Sequence, residues 1–316
     1  MNSRSRNSLF LQAPAKINLF LKVLHKRLDG FHEIETIFER IDLCDDILIK
    51  SNNTGVIKIQ CNHPQVPVGP KNLAYKVASL IQKDFRIKKG VDIHIHKRIP
   101  VAAGLAGGST NAATVLLGLN RLWQLKLSQK DLVVYAKKIG SDVAFFLYDY
   151  SWGLGTGRGE KIKPLDVSTK LWHVIVVPSI KIYSGKVYEG LKLKPMRANA
   201  SRENASQDIA LSPHGTAMKM LTKRNTGVNI LLRQLRKNDF NGVSQLLRND
   251  LEPEIIRQCP RLKPLKQRLN SFGIKGVMIS GSGPSVYGIT HSEREARQVA
   301  SVLSRRFSQV FVAKTL

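Results

Sequence analysis

Pro100-Val101-Ala102-Ala103-Gly104-Leu105-Ala106-Gly107-Gly108-Ser109-Thr110-Asn111-Ala112-Ala113 is the stretch on which the reading of the chain turns. Before it, Val91, Ile93, Ile95 and Ile99 alternate with Asp92, His94, His96 and Arg98, the period of a half-buried strand. After it, Ala112 to Trp123 is rich in helix formers, with Val115, Leu116, Leu119 and Leu122 apolar. A helix is therefore expected to begin near Ser109 or Thr110, either of which could cap it. The unit is strand, glycine-rich loop, helix. Small residues let backbone approach a ligand closely, and a helix start offers unpaired N–H groups and the positive end of a dipole, a combination that favours phosphate. Neither of the two commonest phosphate loops is present: Gly108 is followed by Ser109, where a Walker A loop needs Lys, and there is no G-x-G-x-x-G. The same residues would also suit a plain packing turn, so the motif needs company.

With 316 residues the chain has room for about two domains, and a change of composition near Pro164 to Thr169 suggests a division into 1–166 and 167–316. The 42% apolar content is that of a globular protein. Fifty Lys and Arg against 23 Asp and Glu leave a charge of +27, which attracts polyanions. The basic residues run from Arg4 to Lys314 without forming one block, and no nucleic-acid motif accompanies them, which disfavours nucleic acid as the partner. Cys44, Cys61 and Cys259 form no C-x-x-C pair, which argues against a zinc site or disulfide scaffold and suits a reducing cytosol. His94 and His96 point the same way on one strand and are read as its solvated face. No apolar run approaches the ~20 residues of a membrane span. The first 14 residues, basic and free of acids, are read as a frayed terminus; a plastid location would follow only if they were the remnant of a transit peptide.

Along the chain, Ile17, Leu19, Leu21 and Val23 alternate with Lys16, Asn18, Phe20 and Lys22, so a strand sets Lys16 and Asn18 side by side. Asp29-Gly30 is a turn followed by Phe31-His32. Ile34 to Ile49 reads as strand, broken near Asp45-Asp46. Asn72 precedes a helix, Ser128 to Asp131 has the form of a capping box, and Gly153 to Gly159 reads as a glycine-dense turn. Asp142, ahead of an apolar run, has the form of an ordinary N-cap. Ser184 to Leu191 is a short helix carrying Tyr188, and Lys192 to Thr226 is a polar insertion. The remainder runs strand, helices, strand, strand, helix, strand, which suits helices on one face of an antiparallel sheet, an α+β arrangement.

Three glycine-bearing loops, one lysine on the first strand and one aspartate after the second loop suggest phosphoryl transfer. Such a site has to cradle donor phosphates, neutralise charge, and orient or deprotonate an acceptor hydroxyl. Backbone amides of Gly104 to Thr110, Lys16 and Asp142 could fill those roles in that order.

Pro14 to Leu19, Pro100 to Ala113 and Ser280-Gly281-Ser282-Gly283-Pro284-Ser285-Val286-Tyr287 resemble the three signature motifs of the GHMP small-molecule kinases. Lys26 to His32, Gly140 to Val143 and Thr156-Gly157-Arg158-Gly159-Glu160 resemble the branch of that family whose substrate is a cytidine diphosphate-linked methylerythritol. The resemblance covers the chain except about Lys192 to Thr226. It implies a ribosomal protein S5 domain 2-like N-terminal domain, a ferredoxin-like C-terminal domain, and a cleft between them. It implies ATP as co-substrate with Mg2+, and transfer to the 2-hydroxyl of the sugar alcohol in the non-mevalonate route to isopentenyl diphosphate. It further implies a cytoplasmic protein without a membrane partner, monomeric or weakly dimeric. Residue by residue, the resemblance makes Asp142 the base and Lys16 its charged partner, with Asn18 against the substrate. Phe31 and Tyr188 would stack the cytosine, and His32 would bond its edge; telling cytosine from uracil takes such an edge group, because a mispaired buried donor costs about 1–3 kcal/mol. Ser184 and the Gly281, Ser282, Gly283 turn fall near substrate or phosphate.

Departures from the family pattern are Phe31 for Tyr, Ala144 for Pro, Ala106 for Gly and Thr110 for Ser; none removes a charged group. Two other readings stay open on sequence grounds. One is a GHMP kinase of the mevalonate or sugar type, and the other a basic RNA-binding protein on an S5-like fold.

Overall fold

The computed structural model describes residues 7–192 and 227–316, so the polar insertion from 193 to 226 lies outside it. β1 (Ser8–Lys26) and β2 (His32–Asn52) form one long antiparallel hairpin. β3 (Ile57–Cys61) and β4 (Gly90–His96) pair in parallel, joined across helix α1 (Leu73–Asp84), and β4 continues on the edge of β2. β5 (Trp152–Thr156) and β6 (Lys161–Leu165) extend the same sheet from the middle of β2. α2 (Gly107–Leu122), α3 (Gln129–Ile139) and a 3-10 helix (Ser141–Leu147) pack with α1 over this sheet. Their core joins Ile47, Ile49, Val91 and Ile93 to Val115, Leu116 and Phe145. The alternation seen before the glycine loop is thus the inward face of β4.

The second sheet has the order β11 (Val310–Lys314), β7 (Trp172–Val176), β10 (Val286–Thr290), β9 (Lys275–Ile279), all antiparallel. In its own strands this is 4-1-3-2, the ferredoxin-like order. α8 (Leu262–Ser271) and α9 (Glu293–Leu303) bury Leu262, Leu265, Leu269, Ala296 and Leu303 against it. The connection after β7 holds α4 (Ser184–Glu189), α5 (Gly227–Arg236), α6 (Phe240–Leu246), the two-residue strand β8 (Arg248–Asn249) and α7 (Glu252–Gln258). β8 pairs with β1, and a third core joins Ile17, Leu19 and Ile41 of the first sheet to Ile175, Tyr287 and Ile289 of the second. Lys16, Asn18 and Phe20 are consequently as buried as their apolar neighbours.

The structure corrects several local expectations. The terminus is strand from Ser8, pairing with Lys50, because Leu9 and Leu11 have a neighbouring strand to lie on; residues 1–6 are outside the described range. β2 does not break at Asp45-Asp46. Its irregularity is a bulge at Asp42 and Leu43, and Asp45 stays in the strand because its buried carboxylate has partners. α2 begins at Gly107, two residues early, and neither Ser109 nor Thr110 caps it; the cap position is Ala106, in the left-handed region at φ 57° with no side-chain bond. Gly153 and Gly155 lie in a strand. A Cβ there would press on Phe145 at 2.9 Å and Phe38 at 2.6 Å, so these glycines serve packing, and the turn begins at Gly157. The last helix ends at Leu303, short of Phe307. α7 and β8 are not foreseen from sequence: each is short, and β8 exists only through its neighbour. Asn72 and the Ser128–Asp131 box cap α1 and α3 as expected.

Candidate active site

β1 carries Lys16 and Asn18 to the centre of the molecule. Lys16 Nζ donates to Asn18 Oδ1 at 2.6 Å, and Asn18 Nδ2 donates to Thr36 Oγ1 at 2.8 Å, whose hydroxyl donates to the Phe20 carbonyl at 2.6 Å. The Tyr287 hydroxyl donates to the Asn18 carbonyl at 2.9 Å, so the second sheet holds the strand from behind. The ammonium sits 5.4 Å from the centroid of Phe38 and 3.5 Å from Asp142 Oδ2. Asp142 does not cap the 3-10 helix that it opens; its side chain, one-third exposed, faces Lys16 instead. A buried cation facing an accessible carboxylate can hold a hydroxyl and take its proton.

The glycine loop closes one wall. Lys16 N donates to the Leu105 carbonyl at 3.2 Å, and Ser280 Oγ donates to the Gly104 carbonyl at 3.1 Å. Gly104 has φ 78°, and a Cβ on it would lie 2.3 Å from the Ser280 carbonyl oxygen. Gly281, at φ 56°, stands over the pair: a Cβ there would come within 3.2 Å of Asn18 Oδ1 and 3.5 Å of Lys16 Nζ. Ser184 and Ser282 share a hydrogen bond at 2.6 Å. These surfaces bound a cleft of about 770 Å³ into which the start of α2 opens. Every position singled out in the sequence lines it except Leu105 and Thr110. The Leu105 side chain is in the core, and the Thr110 hydroxyl is buried without a hydrogen-bond partner among the described residues.

At the other end, His32 and Tyr188 stack with centroids 5.2 Å apart, which leaves no space for a ring between them. Phe31, half-exposed, is apart from that pair and lies 4.5 Å beneath the guanidinium of Arg158. Burial, with Lys26 nearby, lowers the pKa of His32 and keeps the imidazole neutral; burial, with Asp142 nearby, pushes the Tyr188 phenol up.

Several participants are not evident from sequence. Asp45 is fully buried and accepts from the backbone N–H groups of Arg98 and Ile99 at 2.8 Å each and from Asn111 Nδ2 at 2.8 Å; it also pairs with Lys97. One carboxylate thus ties the strand entering the loop to the helix leaving it. Thr36 and Phe38 are two residues apart on β2, a spacing that would have marked them as sharing a face. Among the described residues no group of three His, Cys, Asp or Glu could hold a metal. No described helix is long and apolar enough to cross a membrane.

The models of the GHMP kinases N terminal domain and of the GHMP kinases C terminal domain match residues 72–150 and 231–309. The 4-diphosphocytidyl-2-C-methyl-D-erythritol kinase of Shouchella clausii is 38% identical over 97% of this chain and 94% of its own length; that of Geobacillus kaustophilus is 37% identical, over 98% and 97%. The chain belongs to the 4-diphosphocytidyl-2-C-methyl-D-erythritol kinase family of GHMP kinases. A crystal structure of 4-(cytidine 5'-diphospho)-2C-methyl-D-erythritol kinase superposes with a TM-score of 0.74 at 29% identity, over 97% of this chain and 98% of that one. Homoserine kinase from Cytophaga hutchinsonii, at 20% identity and a TM-score of 0.71, shares the GHMP kinase fold. The two-domain α+β architecture expected from the motifs is therefore that of the family. The chain is a kinase of the GHMP type, and a non-enzymatic RNA binder is not favoured.

Proposed function

We propose that the chain transfers the terminal phosphoryl group of ATP to the 2-hydroxyl of 4-diphosphocytidyl-2-C-methyl-D-erythritol, a cytoplasmic step on the route to isopentenyl diphosphate. The observation that carries the reading is the Lys16–Asp142 pair at 3.5 Å, at the floor of the same cleft as the glycine loop and the aromatic cluster. Family membership supplies the substrate.

On this reading the backbone amides at the start of α2 hold the donor phosphates, and residues 1–166 and 167–316 form the two walls. Asp142 accepts the hydroxyl proton as the substrate oxygen bonds to the γ-phosphorus and the bond from that phosphorus to the β-bridging oxygen breaks, releasing ADP. Lys16, fixed by Asn18, offsets the charge that spreads over the transferring group. Mg2+ would enter on the nucleotide, held mainly by its phosphates with the cleft-lining hydroxyl of Ser109 at hand, and would neutralise phosphate charge. Phe31 and Tyr188 offer faces for the cytosine and neutral His32 an edge partner, which requires His32 to move off the Tyr188 ring on which it is stacked.

The test is ADP release with the cytidylated substrate, with its uncytidylated counterpart and with neither, for wild type and Asp142→Ala. Turnover should require the cytidine group and should fall by about 10²–10⁴-fold in the variant. Turnover indifferent to the cytidine group, or surviving loss of Asp142, would overturn the proposal.

A further inference from the structure

Among the described residues five cationic side chains line the cleft: Lys16, Lys26, Lys71, Lys97 and Arg158. Two are spoken for, Lys16 by Asn18 and Asp142 and Lys97 by Asp45. Arg27, just outside, is also committed, to Asp29 and Glu33. Arg158 is different. Among the described residues its guanidinium meets no carboxylate within ion-pair distance; it lies over the face of Phe31, and the acid whose charge it feels, Asp29, is already paired with Arg27. Among the described residues the acids lining the cleft are Asp142 and Glu189, and neither forms an ion pair with it. Lys26, near His32, is likewise without an acid.

The placement of Arg158 is built. Its turn is bracketed by Gly157 and Gly159 at φ 73° and 97°, and the buried Glu160 accepts from the Arg158 backbone N–H at 2.6 Å. Gly157 N donates to Glu33 Oε1 at 3.0 Å, and Ile34 N donates to the Gly157 carbonyl at 2.7 Å. The turn is thereby tied to the start of β2, which follows directly on Phe31. A guanidinium held over a ring can still donate from its N–H groups, and its fork of donors suits the paired oxygens of a phosphate.

We infer that Arg158, with Lys26 of the same cleft, forms an anion subsite for the diphosphate that joins the cytidine to the acceptor alcohol. This rests on the proposed function: with the reacting hydroxyl at Asp142 and the base among Phe31, His32 and Tyr188, the diphosphate spans the interval between them, and among the described residues Arg158 and Lys26 are the cleft cations without an ion pair that neighbour the base residues. Lys71, just before α1, whose Leu73 side chain lies 3.8 Å from where a Cβ on Gly108 would stand, is left for the nucleotide side. Arg158 then serves twice, holding the Phe31 ring by its face and the phosphates by its edge.

The experiment compares wild type, Arg158→Gln and Arg158→Lys by calorimetric binding of cytidine and of cytidine diphosphate, and by KM for each substrate. In Arg158→Gln, affinity for cytidine diphosphate and 1/KM for the cytidylated substrate should fall by about 10- to 100-fold, with cytidine affinity and the KM for ATP within twofold. Arg158→Lys, which keeps the charge and loses the fork, should fall between. Equal losses for cytidine and cytidine diphosphate would mean that Arg158 only supports the ring, and unchanged binding of both would mean that it takes no part; either result overturns the inference. A rise in KM for ATP alone would move the residue to the donor side and overturn it too. Binding is read without turnover, so a wild type that binds cytidine diphosphate but fails to phosphorylate the cytidylated alcohol would refute the proposed function and leave the subsite standing.

Discussion

Gly104→Ala probes the seam on which the site depends. The glycine is at φ 78°, and its missing Cβ would sit 2.3 Å from the Ser280 carbonyl oxygen and 3.0 Å from that of Gly283. Both are backbone atoms, so neither can swing aside. Relief to an ordinary contact of about 3.4 Å requires the loop and the turn to part by about 1 Å. The left-handed conformation costs an alanine about 1–2 kcal/mol and the overpacking about 1–3 kcal/mol, so a loss of about 2–5 kcal/mol is expected. The displaced turn carries Gly281, which stands over Lys16 and Asn18, and a shift of about 1 Å in a positioned site can cost on the order of 100-fold in turnover. Urea unfolding gives the first number and steady-state kcat the second. A variant within about 0.5 kcal/mol of wild type and within twofold in kcat would refute the reasoning, because the loop and the third turn could not then be pressed together as described.

Asp45→Asn should cost about 3–5 kcal/mol by urea unfolding, because it strands the ammonium of Lys97 in a buried site. Ala106→Gly should leave stability unchanged or raise it by up to about 1 kcal/mol, since Ala106 lies at φ 57°; the same exchange inside α2, for instance at Ala113, should lose about 1 kcal/mol. For His32 the folded pKa lies below the ordinary value of 6.5, so its contribution to stability is complete above pH 6.5 and declines as the pH falls toward the folded pKa, where the unfolded chain binds the proton first. A pH series of unfolding midpoints should therefore show wild type losing ground to His32→Asn below pH 6.5, and parallel curves would contradict it.

Local chemistry determined a good deal of this protein. The capping of α1 by Asn72 and of α3 by its box, the alternation of β4 and, α7 and β8 apart, the order of strands and helices in the second half follow from contacts within a few residues, where pattern and geometry are one thing. The pairing of Lys16 with Asn18 was legible for the same reason, since residues two apart on a strand share a face. Tertiary structure decided the rest. Asp142 has the local form of a helix cap and becomes a site residue only because β1 delivers Lys16 to it. Asp45 looks like a strand breaker and is in fact the carboxylate that joins both ends of the glycine loop. Gly153 and Gly155 read as turn but are strand, because Phe145 and Phe38 occupy the space their side chains would need. In each case the deciding partner lies between 8 and 126 positions away in sequence and is brought in by strand pairing and core packing, which no local pattern of residues encodes.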